Sequence, residues 1–141
     1  MKKEKVFKFL SMAVMLSIFW FSHQDGRETM KQSRYVKKQI EKVLGKRLSV
    51  NIRKNAHFFI YLGLGSGLLL CREKRGTKEI LQTTLFILLY AIGDEYHQSF
   101  IPGREATLRD IGIDLLGGIS GIIGVKIVDY IKNIDLYNKN T

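Results

Sequence analysis

Ile80-Leu-Gln-Thr-Thr-Leu-Phe-Ile-Leu-Leu-Tyr-Ala-Ile-Gly93 is an apolar run that passes without a break into Asp94-Glu-Tyr-His-Gln-Ser-Phe-Ile-Pro-Gly-Arg104. A second apolar run, 111–130, begins shortly afterwards and carries Asp114 inside it. Ionisable groups between two such runs lie at the border of a bilayer, where they are expensive and mark a functional site by default. The rest of the chain repeats the pattern, with apolar blocks at 6–22, 56–71, 80–93 and 111–130 separated by charged stretches. A soluble domain would distribute its apolar residues with a period of 2 or 3.6. A mean hydropathy near zero conceals this segregation. The blocks predict an all-α polytopic membrane protein, about four transmembrane helices in a small bundle, as a single domain of 141 residues.

The first block follows Lys2, Lys3 and Lys5, as a signal peptide's core would. No small-x-small cleavage site follows it. It ends in Phe19-Trp-Phe-Ser22, so an uncleaved span with Trp20 and Phe21 in the interfacial aromatic belt is expected. Residues 23–55 form a very basic loop in which Val36, Ile40, Val43 and Leu44 share one helical face and Lys37, Lys38, Lys42 and Lys46 the flanks and back. That is the pattern of an amphipathic helix on an anionic membrane surface, or of a helix packed on the protein's own spans. Gly45 is its expected stop. The tail, 132–141, is polar and expected to fray.

The net charge of +10 has anionic membrane lipids as its counter-charge rather than nucleic acid, because the basic residues flank spans and no nucleic-acid module is present. The single cysteine, Cys71, excludes an internal disulfide. Four spans put both termini on one side, expected to be the cytoplasmic one, together with the basic turn 72–78. Gly63/Gly67 and Gly117/Gly121 are small-xxx-small pairs that permit close helix approach, within the chain or to a membrane-protein partner or second copy.

Helical spacing decides which polar groups can meet. Asp94, His97 and Gln98 share one face, with Glu95 turned away from Asp94; Asp110 and Asp114 share another, and Arg53, His57 and Tyr61 a third. If the helices bundle, these faces converge, and Arg53, Arg104 or Arg109 are expected to neutralise Asp94, Glu95, Asp110 and Asp114. Thr107 to Asp110 has the form of a capping box restarting a helix after the turn Ile101-Pro-Gly103. Such a network can simply pin helix ends. It can also recognise an anion through Arg53 and Arg104, or do acid–base work through Asp94, Glu95, His97 or His57. His57, His97 and several carboxylates could ligate a divalent ion, but no metal-ligand spacing such as His-Glu-x-x-His exists, so neither a metal nor a cofactor is expected.

Arg53-Lys-Asn-Ala-His57 entering a span, then Asp94-Glu-x-His-Gln98, Pro102-Gly-Arg104 and Asp110-x-x-x-Asp114 ahead of a glycine-rich span, resembles the VanZ-like membrane protein family. The opening span ending in Phe-Ser-His-Gln is similar too. The resemblance covers about residues 5–130. It implies a small protein of about four spans whose polar signature is Lys54, His57, Asp94, Glu95, His97, Gln98, Arg104, Asp110 and Asp114. It also implies kinship with a founding member associated with glycopeptide (teicoplanin) resistance, without an established reaction. The expectation is a cell-envelope membrane protein whose outward-facing polar pocket binds an anionic lipid or cell-wall precursor headgroup. A membrane enzyme acting on a phospho- or acyl-linked lipid, and a structural or regulatory partner of another membrane protein, are the alternatives.

Overall fold

The computed structural model describes residues 2–139, which form five helices and no strand: α1 (Lys2–Ser22), α2 (Gly26–Leu44), α3 (Ile52–Leu70), α4 (Thr77–Gln98) and α5 (Leu108–Lys139). Helices α1, α3, α4 and α5 alternate in direction around α3, which packs against all the others. The C-terminal ends of α1 and α4 therefore lie beside the N-terminal ends of α3 and α5. Two helices, Lys3–Ser22 and Leu108–Lys139, hold stretches long and apolar enough to cross a membrane. Large apolar side chains such as Phe9, Trp20, Leu81, Leu89, Leu116 and Ile123 face outward, while the core is Ile18, Tyr61, Leu64, Leu69, Ile87, Ala91 and Ile122.

The closest seam runs between α3 and α5, and glycine makes it. A Cβ on Gly65 would collide with the backbone of Gly118, one on Gly117 with the Phe58 carbonyl, and one on Gly121 with the Leu62 carbonyl. The pair Gly117/Gly121 is thus used inside the bundle. On α3 the contact falls on Gly65; Gly63 faces open space, and Gly67 meets the Ser11 side chain of α1.

Local chemistry explains where the helices begin and end. Asp25 accepts from the Arg27 N–H at the start of α2, and Gly45 in the left-handed region (φ 65°) ends it as expected. The far end of the apolar face of α2 stays open, with Val43 at 85% and Leu44 at 53% exposure, while α2 packs on α3 and its Val36 lines a cavity shared with α1 and α3. Asn51 caps α3, which begins at Ile52, four residues ahead of the expected apolar block. Helix α4 carries on through Asp94 to Gln98. A turn then forms as the Arg104 N–H donates to Ile101 O (3.1 Å), with Pro102 setting φ and Gly103 at φ 74°. Helix α5 does not fray at 132; it continues to Lys139, because Ile131-Lys-Asn-Ile-Asp-Leu-Tyr137 contains neither glycine nor proline to stop it.

Candidate functional site

The alternating helices bring the polar faces of α3, α4 and α5 to one end of the bundle. The first turn of α5 is built by a shared cap. The Thr107 hydroxyl accepts from the Asp110 N–H (3.1 Å), which is half of the expected capping box. The other half is supplied from α4, where Glu95 Oε2 accepts the Thr107 N–H at 2.9 Å. Asp110 is thereby free to turn across to α3, where Lys54 Nζ donates to it. Burial raises the pKa of Glu95, which lies past the 80–93 stretch, and the Thr107 N–H partly offsets the shift.

One turn deeper, Asp114 faces His57, with Oδ1 3.4 Å from the imidazole Nδ1. Neither Asp114 oxygen receives a well-aligned hydrogen bond, although the side chain is only 1% exposed. Beside them Asp94 Oδ2 accepts from Gln98 Nε2 (2.9 Å), which also donates to Ser22 Oγ of α1 (3.1 Å). One ligand atom from each of His57, Asp94 and Asp114 falls within 4.8 Å of the other two. A cavity of about 10 Å³ opens between Arg53, Lys54, His57, Gln98 and Asp114.

The arginines depart from expectation. Among the described residues Arg104 pairs with no carboxylate; Nη1 donates to Gln98 Oε1 (2.9 Å), Nε to Gln24 O (3.0 Å) and Nη2 to Phe21 O (2.5 Å). It straps the turn onto the end of α1, aided by the Gly26 N–H donating to Pro102 O (2.9 Å). Carbonyls at a helix C-terminus lack intrahelical donors, so a buried guanidinium is drawn to them. Burial, and then the nearby Arg53 guanidinium, hold Arg104 below its ordinary pKa. Arg53 itself, half-buried, makes no side-chain hydrogen bond or ion pair among the described residues. Arg109 is exposed and takes no part.

His97 is also placed differently. It lies outside the cluster, with Nε2 3.3 Å from His23 Nδ1 and its ring stacked on Phe19 at 4.8 Å. At i+3 it is carried far enough round α4 from Asp94 to face α1 instead of α5, whereas Gln98 at i+4 stays with Asp94. Of the polar signature, Lys54, His57, Asp94, Glu95, Gln98, Arg104, Asp110 and Asp114 are brought together, with Arg53 at their edge. Ser22, Gln24 and the Phe21 carbonyl were not expected here. Their only signal was Phe-Ser-His-Gln at the end of the first block.

A second cavity of about 270 Å³ opens among α1, α2 and α3. Its walls are mostly apolar, Ile18, Phe21, Val36, Ile52, Ala56 and Ile60, and His57, Arg53 and Arg104 also line it.

This fold and site define a small helical-bundle protein with membrane-length apolar helices and a network of buried acids at one end. The model of the VanZ/LLP1 family matches residues 7–129, and the chain belongs to that family. No curated protein and no solved structure matches it.

Proposed function

We propose that the protein is a multi-pass membrane protein of the cell envelope that holds the anionic head of a membrane-embedded lipid or lipid-linked cell-wall precursor. Helices α1, α3, α4 and α5 would cross the bilayer, with both termini cytoplasmic and the polar end outward. The observation that carries this reading is the apolar cavity among α1, α2 and α3, which has Arg53, Arg104 and His57 among its lining residues. An acyl or isoprenoid chain matches the apolar wall. Arg53 has all its donors available for a phosphate, a group guanidinium binds bidentately. Arg104 has committed three of its five N–H donors to Gln98 and two carbonyls, so it frames the site more than it grips a ligand. The open apolar face of α2 supports a position at the membrane surface beside this cavity. A link to glycopeptide susceptibility would follow if the drug competes for the same amphiphile.

Native mass spectrometry of the protein in detergent, with an anionic and a zwitterionic lipid of the same chains, tests the reading. The anionic lipid is expected to bind preferentially, and Arg53→Gln to weaken it by about tenfold, the worth of one charge-assisted hydrogen bond. Equal binding of both lipids, unaffected by Arg53→Gln, would sink it.

A further inference from the structure

We infer that His57, Asp94 and Asp114 form a binding site for one divalent cation of the zinc or manganese class. The three side chains come from α3, α4 and α5, and their ligand atoms already lie within 4.8 Å of one another. Ligand atoms sharing one ion at roughly 2.0–2.2 Å lie about 3–4 Å apart, so small side-chain rotations complete the set. No short ligand motif marks it, because each helix supplies one ligand.

Charge makes the strongest argument. Two carboxylates sit side by side at 7% and 0% exposure. Among the described residues no lysine or arginine forms an ion pair with either, since Lys54 is engaged by Asp110 and Arg104 by Gln98 and two carbonyls. Buried acids in such a setting are costly unless something positive reaches them. A doubly charged ion balances both with His57 as neutral imidazole.

Two independent observations point to the same place. The Tyr61 hydroxyl, fully buried one turn below His57, has no hydrogen-bond partner among the described residues. The cavity against His57 and Asp114, about 10 Å³ and lined also by Arg53, Lys54 and Gln98 though not by Asp94, has room for one ion or water and no organic ligand. The donor set selects the ion: imidazole nitrogen with two carboxylates suits Zn²⁺ or Mn²⁺, whereas Ca²⁺ and Mg²⁺ favour oxygen alone. The Asp94 carboxylate is also held in place, by Gln98, which Arg104 and Ser22 hold in turn. Supports of this kind commonly orient metal ligands.

The test uses the full chain in detergent, stripped with chelator and then titrated with Zn²⁺, Mn²⁺ or Mg²⁺ while bound metal and melting temperature are read. One equivalent of Zn²⁺ or Mn²⁺ per chain and a raised melting temperature are expected, with His97→Phe unchanged as the control for surface histidines. Asp114→Asn and His57→Gln should abolish uptake, and Gln98→Leu should weaken it by about tenfold or more. Should those variants fail to fold, X-ray absorption of the metal-loaded wild type is expected to show one nitrogen ligand and oxygen ligands. Three results overturn the inference: no uptake of either ion, uptake of Mg²⁺ alone, or uptake that survives both Asp114→Asn and His57→Gln. The outcome is independent of lipid binding, which Arg53 reports separately.

Discussion

The two ends of the bundle hold similar ion pairs in different surroundings. At the end shared by the α3–α4 turn, Arg75 Nη1 meets Asp129 Oδ1 at 2.6 Å, with side chains 29% and 26% exposed, and Lys126 Nζ donates to Arg75 O at 2.9 Å. At the opposite end Lys54 engages Asp110, with side chains 25% and 13% exposed. Beyond Arg75–Asp129 no buried acid follows among the described residues; the side chains buried there include Leu69 and Val125 with the uncharged Ser11 and Thr83. Beyond Lys54–Asp110 the acids continue inward through Asp114 and Asp94. A charge pair at the rim is adequate to fasten two helices. Carboxylates carried past the rim exceed what fastening requires, and that surplus separates the candidate site from a structural clamp.

Substitutions can break this contrast, and the largest effect belongs to Arg104. Arg104→Ala leaves the buried Gln98 Oε1 and the part-buried Gln24 carbonyl without a donor, removes a second donor from the Phe21 carbonyl, and should destabilise the protein by about 3 kcal/mol, read as a lower melting temperature in detergent. Arg104→Lys should recover only part, since an ammonium cannot span three acceptors held by a planar fork. Next come the two clamps. Lys54→Met leaves Asp110 without its cation and should cost about 2–3 kcal/mol, whereas Arg75→Met at the other end should cost about 1 kcal/mol. Equal losses would erase the distinction between the ends. Gly103→Ala, at φ 74° against Arg27, should cost about 1 kcal/mol through a strained turn. The smallest change is expected for His97→Phe, which keeps the stack on Phe19 and should alter stability by less than about 0.5 kcal/mol. It should leave anionic-lipid binding intact; loss of binding there would place His97 back in the site.

The helices were legible because apolar blocks and caps are local properties. The run into Asp94 and Gln98, the stop at Gly45 and the turn at Pro102-Gly103 all depend on neighbours a few residues away. The convergence of His57, Asp94 and Asp114 followed from helical faces once the helices were paired. Partners across helices were not legible. Arg104 looked like a counter-ion for acids, yet it bonds the carbonyls of Phe21 in α1 and of Gln24 just after it, and backbone acceptors have no sequence signature. The α3–α5 seam uses Gly65, which the alternating glycines 63, 65 and 67 cannot distinguish by spacing. Glu95 completes a cap for α5 that the chain order assigned to Asp110. In each case the deciding contact joins distant segments.

The Arg104 strap has a consequence for how the chain assembles. The carbonyls it binds, at Phe21 and Gln24, precede it by 83 and 80 residues. During synthesis α1, α2, α3 and α4 are all complete before the donor for those acceptors exists. The far end of the first helix must stay within reach of water until residue 104 emerges, so final closure of this corner is a late event. A chain cut before Arg104 would contain every other residue of that corner's wall and still leave it open.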